Sequence, residues 1–215
     1  MSIKRVVFIR PGETDWNRDE RHQGNVAIPL NEHGRQQARR LANYIRNMGI
    51  TALYTSDTKR ALETAELLAE RLGFAPIVDA RLREREIGLW QGLTKDEMET
   101  WYPAEYAKLR ADPQGYAVPG GESRADVQKR MVAFFEELQQ KEQGETVGIL
   151  SHTTAIHELL EVLTPGRSSD DIIVTNTSVT TIRHDAAGWS LITSNDISHL
   201  EGLATRRASE LEDNR

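Results

Sequence analysis

Short β-branched runs alternate with amphipathic helical stretches along this chain, and that alternation constrains the fold more than any other feature. Ile3–Ile9 is apolar apart from Lys4 and Arg5, the composition of a strand covered on both faces within a parallel sheet. A polar stretch from Arg10 to Asn31 follows and reads as a long loop of the kind that carries function. Gly34–Met48 then repeats Ala38, Leu41, Ala42, Ile45 and Met48 at helical spacing, with Gly49 as its stop. Ile50–Tyr54 is a second strand. A helix from Asp57 to Leu72 stops at Gly73, and Pro76–Val78 is a short strand. Residues 80–121 are irregular and read as an excursion over the active face with one or two short helices. Glu122–Gln140 is a helix, Thr146–Leu150 a buried strand and Thr153–Leu163 a helix. Ile172–Ile182 and Trp189–Thr193 read as strands of a terminal hairpin or meander. The pattern predicts an α/β three-layer sandwich, a mostly parallel central sheet with helices on both faces.

Chain length and charge narrow the class. The 215 residues suit one domain, expected over 1–203, with 204–215 as a charged tail. A net charge of −6 argues against nucleic acid as partner, and the basic residues are interspersed with acids, so no polybasic membrane patch is expected. The absence of cysteine removes disulfides, thiol catalysis and Cys-ligated zinc, and is compatible with a cytoplasmic location. No apolar run reaches the roughly 20 residues that span a bilayer, and no signal peptide is visible. The histidines, His22, His33, His152, His157, His184 and His199, show neither HxxxH nor HxH spacing, so no metal and no cofactor is expected. The sequence does not set an oligomeric state.

In sheets of this class the site lies beyond the carboxyl ends of the strands. Arg10 ends the first strand, Arg60 lies in the first turn of the helix after the second, and Ser151, His152 and Thr153 join the 146–150 strand to its helix. Arginine forks match phosphate oxygens, and a helix start adds unpaired N–H groups. A single arginine or histidine is ordinarily a surface charge or a satisfied core group. Their shared position at three strand ends points to a pocket for phosphate or a small phosphorylated ligand.

Seven blocks, in order, resemble the histidine phosphatase superfamily, the phosphoglycerate-mutase-like fold. Its signature, Arg-His-Gly-Glu-Thr-x-x-Asn, is similar to Arg10-Pro11-Gly12-Glu13-Thr14-Asp15-Trp16-Asn17. Further similarity lies in Pro29–Ala38, Ser56–Ala65, Leu82-Arg83-Glu84, Gly88–Gly92, Gly120–Ser123 with Ser151-His152, and the closing segment Asn195–Leu200. The resemblance covers roughly residues 3 to 200. It implies a phosphohistidine mechanism, with Arg10, Arg60 and His152 as phosphate clamps and Glu84 as acid/base. Asn17 would be an added contact, and Thr153 would contribute at the helix start. The short span from Glu84 to Gly120 favours the phosphatase branch over the mutases. Trp90, Trp101, Tyr102, Tyr106 and Tyr116 either line a lid or pack beneath it.

The chain departs from the pattern where the chemistry is. Pro11 occupies the nucleophile position and has no side-chain donor. Ala27, Gln91 and Thr153 are milder departures. Three readings follow. The first is a phosphate-binding pseudoenzyme. The second is an enzyme with a substitute nucleophile: His152, His22 or a water activated by Glu84. The third is an inactivated variant of an ordinary phosphatase.

Overall fold

The computed structural model describes residues 3–141, 144–166 and 172–203. Six strands, β1 (Arg5–Ile9), β2 (Ala52–Thr55), β3 (Ile77–Val78), β4 (Thr146–Leu150), β5 (Val179–Asp185) and β6 (Gly188–Asp196), form one sheet. Its order is β3-β2-β4-β1-β5-β6. The pairs β1·β4, β2·β4 and β2·β3 are parallel, and β5 and β6 add an antiparallel hairpin beside β1. The expected α/β sandwich is therefore present, with a mixed edge.

Strand alternation sorts the core into two layers. Val6, Phe8, Val147 and Ile149 face α6 (Arg124–Lys141) and α7 (Thr153–Leu163), where Met131, Phe134, Ile156 and Leu159 are buried. Val7, Ile9 and Leu150 face α2 (Glu32–Ile45) and α3 (Lys59–Leu72), against Leu41, Ile45, Ala61, Ala65 and Leu68. Period-2 side chains on β1 thus feed both cores at once, which is why that strand is apolar throughout.

Several expectations are revised. Arg10–Asn31 is not all loop: α1 (Asp15–Arg18) forms there, capped by Thr14 in a reciprocal box with Asn17. The helix expected at Gly34 begins at Glu32, because Asn31 caps it by accepting from the Gly34 amide. Residues 172–178 are not strand. The apolar side chains of Ile172 and Val174 are buried, but the backbone turns at Asn176–Thr177 and pairing begins only at Val179. Within 80–121 there are two α-helices, α4 (Lys95–Trp101) and α5 (Pro103–Ala111), and two 3-10 turns. Trp90, Met98 and Val118 form a small third core under this excursion, with Tyr102, Tyr106 and Tyr116 packed against it. These aromatics are packing beneath the excursion, while Trp101 is exposed. The tail expected at 204–215 lies outside the described residues.

Candidate active site

β1, β2 and β4 run parallel, so their carboxyl ends meet on one edge of the sheet. A cavity of about 330 Å³ opens there, and Arg10, Pro11, Asn17, Arg60, Glu84, His152 and Thr153 all line it. Every site residue expected from the sequence is thus brought to one place. His22 lines the same cavity, and so do Gln23, Arg85 and Asn176, which sequence reasoning did not single out.

The loop that carries Arg10 and Pro11 is held by backbone approach. A Cβ on Gly12 would lie 2.5 Å from the Gly34 carbonyl oxygen, and one on Gly34 would lie 2.1 Å from that of Glu13. Only glycine at both positions lets α2 dock on the loop. The Gly12 amide donates to Thr64 Oγ1 at 3.1 Å, and the Glu13 amide to Gln37 Oε1 at 3.0 Å. Asn17 Oδ1 accepts from the Thr14 amide at 3.1 Å and from Asn176 Nδ2 at 3.3 Å, so its Nδ2 group is the part left to donate into the cavity.

Arg60 is buried. Its Nη2 donates to the Gly24 carbonyl at 2.9 Å and contacts His152 Nδ1 at 3.1 Å. A guanidinium cannot accept, so Nδ1 is the acceptor and the proton of the neutral ring sits on Nε2. That nitrogen lies 3.1 Å from Thr58 Oγ1, which also accepts from Ser56 Oγ at 3.2 Å. Burial, then the nearby Arg60, Arg10 and Arg130, hold His152 well below the usual histidine value. Arg10 donates through Nη1 to the Val174 carbonyl at 2.6 Å.

Glu84 stands across from these cations. One carboxylate oxygen accepts from the Arg85 amide at 2.7 Å and the other from the Thr154 amide, in the first turn of α7, at 3.3 Å. Anions are favoured at such a helix start. Its segment is pinned from outside by Arg130, which donates to the carbonyls of Arg81, Arg83 and Glu84 and pairs with Glu122. Ser151 Oγ adds a bond to the Leu82 carbonyl at 2.8 Å.

Positive charge is concentrated and desolvated around the cavity. Burial is the leading cause that lowers the pKa values of Arg10, Arg60 and Arg85, with Arg60 brought to about 10. Arg85 uses Nε and Nη2 on the carbonyls of Glu122 and Tyr116 and forms no direct ion pair among the described residues. Three desolvated guanidinium groups therefore share a cavity with the Glu84 carboxylate. His22 is exposed in surface terms yet sits within the concavity, where desolvation lowers its pKa against the opposing pull of Glu84. Among the described residues its ring has no hydrogen-bond partner, and no group of three or more His, Asp or Glu side chains is placed to hold a metal ion.

Known proteins resemble this chain in sequence and fold. "Phosphoglycerate mutase-like protein 4" of Arabidopsis thaliana is 34% identical over 200 residues, covering 91% of this chain and 86% of that protein. A mycobacterial glucosyl-3-phosphoglycerate phosphatase, solved with VO3, superposes with a TM-score of 0.81 at 33% identity, over 89% of this chain and 98% of the other. A phosphoserine phosphatase mutant from Entamoeba histolytica, with a histidine changed to alanine and phosphoserine bound, gives 0.81 at 26% identity, over 91% and 98%. A family model described as histidine phosphatase superfamily (branch 1) matches residues 6–197. With that match spanning the sheet, both helical layers and the cavity, the chain belongs to the histidine phosphatase superfamily.

Proposed function

We infer that the cavity binds the phosphate of a small phosphomonoester and that Pro11 leaves it without the phosphoryl-accepting group of the family signature. The chain is then catalytically silent or strongly impaired. One observation carries this reading: Arg10, Arg60, Asn17, His152, Thr153 and Glu84 line a single cavity whose wall at the signature position is Pro11. Arg10 and Arg60 would hold phosphate oxygens, with Asn17 Nδ2 and the open Thr153 amide at the start of α7 beside them. An arriving dianion would draw a proton onto His152 Nδ1, letting the ring exchange Arg60 for a phosphate oxygen. Glu84 is the group left to protonate a leaving oxygen. A relative solved as a histidine-to-alanine mutant with phosphoserine bound supports ligand binding without that histidine.

Loss of a covalent nucleophile costs on the order of a millionfold in rate in a well-characterised unrelated hydrolase. The test is turnover of p-nitrophenyl phosphate by the chain beside its Pro11→His variant, both verified as folded. Turnover confined to the variant supports the reading. Equal turnover overturns it.

A second reading is favoured by one feature, the unpartnered neutral ring of His22 inside the cavity. There a ring nitrogen attacks phosphorus, the ester P–O bond breaks, and Glu84 protonates the departing oxygen. Water then cleaves the phosphohistidine. Acid-labile labelling by 32P-phosphoester that disappears in His22→Ala would establish it, and unchanged labelling would remove it. His152 is the weaker substitute, since both its ring nitrogens are occupied. The same proposal treats residues 1–203 as one cytoplasmic domain. No helix among the described residues is long and apolar enough to cross a membrane.

A further inference from the structure

Among the described residues, Glu20, Thr177 and Asn195 are the non-glycine positions with left-handed backbone; Glu20 lines the cavity, while Thr177 at φ 57° and Asn195 at φ 51° do not. Asparagine visits this region with little penalty, but a β-branched threonine there is an outlier that its surroundings must enforce. Those surroundings lead to the site. The Thr177 amide donates to the carbonyls of Arg10 and Pro11 at 3.1 and 3.3 Å. Beside it, Asn176 Nδ2 donates to the Pro11 carbonyl at 3.0 Å and reaches Asn17, and the Val174 carbonyl receives the Arg10 guanidinium. Residues 174–177 are thus a strap that holds both the backbone and the side-chain direction of Arg10.

The strap is braced from behind by the last described segment. Thr177 Oγ1 donates to the Asn176 carbonyl at 2.8 Å, so it accepts from His199 Nε2 at 3.2 Å. His199 Nδ1 is buried without a partner, which leaves Nε2 as the ring's one polar anchor among the described residues. Tyr44 stacks on the ring at 5.4 Å between centroids. Asn195 Oδ1 accepts from both the amide and the hydroxyl of Thr175 at 2.9 Å. Its left-handed backbone accompanies an irregularity in the β5·β6 register, where Val179 pairs with Asp196 but Thr181 with Thr193. Bulges of this kind re-aim a side chain beside a site.

We propose that His199 and Asn195 are positioning residues for the anion site, acting through the 174–177 strap to set the Arg10 guanidinium and the Arg10–Pro11 backbone. Neither lines the cavity. The ligand readout rests on the phosphate-site reading above; the mechanical readout does not. The experiment compares the full chain with His199→Ala and His199→Gln, the latter offering an amide N–H near the Nε2 position. Inorganic phosphate binding is measured by calorimetry, and exchange of the Thr177 amide by NMR. In His199→Ala, phosphate affinity should fall about three- to tenfold, the scale of one lost hydrogen bond. Thr177 exchange should quicken while the amide of Ile182 in β5 is unchanged. His199→Gln should restore both. If His199→Ala does not fold, His199→Leu, which fills the space and cannot donate, replaces it. Unchanged Thr177 exchange, or equal losses in the glutamine and alanine variants, overturns the positioning role. If the unaltered chain binds no phosphate but Thr177 exchange responds as described, the phosphate reading falls and the coupling stands.

Discussion

Arg60 shows how one side chain can serve several masters. Its fork is committed to the Gly24 carbonyl and to His152 through Nη2, and Nη1 reaches the Val26 carbonyl at 3.4 Å. Lysine has the charge without the fork. Arg60→Lys should therefore lower phosphate affinity by about tenfold or more in calorimetry, although the formal charge is kept. Arg10 and Arg60 were legible from their places at strand ends. Thr58, Gln23, Arg85 and Asn176 were not, because what makes each matter is a partner distant in sequence. Thr58 is an ordinary helix-start threonine until His152 arrives from β4. Asn176 lies in a run that reads as strand until its amide is seen to hold Pro11.

At the scale of elements, the periodic signals were the dependable ones. Stripes such as Ala61, Ala65 and Leu68 on α3, or Val127, Met131 and Phe134 on α6, are buried as their spacing requires. The failures share a cause: local chemistry overrode apolar character. α1 is four residues long and has no stripe, yet the Thr14 and Asn17 box that makes it is present in the sequence. Ile172 and Val174 have strand composition, but Arg10 takes the Val174 carbonyl and Thr177 turns the chain before pairing can start. The junction of α2 with the signature loop gives the test at this scale. In Gly34→Ala the new methyl would meet backbone of Glu13, which has no flexible end to move aside. Denaturant melts should show a loss of about 1–3 kcal/mol, the range for overpacking a tight contact. Phosphate affinity should fall with it, because the loop that must move carries Arg10.

The whole molecule carries an acid liability written in its histidines. His152, His157 and His199 are each held below the ordinary value of 6.5, with burial the leading cause. The unfolded chain therefore binds more protons than the folded one below pH 6.5. Their contribution to stability is complete above that value and is lost as pH falls toward the folded pKa values. The thermal midpoint should decline from about pH 6.5 downward, before the carboxylates titrate, and His152→Gln should flatten that slope. Saturating phosphate should oppose the decline if the proposed site holds it in the folded state alone; a hundredfold excess over Kd is worth about 2.7 kcal/mol. Thermal scans with and without phosphate at pH 5, 6 and 7.5 measure both effects.

The place of β1 in the sheet has a consequence for how the protein is made. Val6 pairs with Val147 on one side and with Ile182 on the other. At a synthesis rate of about 5–20 residues per second, the first strand leaves the ribosome on the order of ten seconds before either neighbour exists. Through that interval Val6–Ile9 is an apolar segment with both edges open, a template for wrong pairing. Arg10 rides at its tip, but His152 and Asn176 follow only much later in the chain. The side chains that line the cavity can therefore meet only after β4 and the segment before β5 have been made.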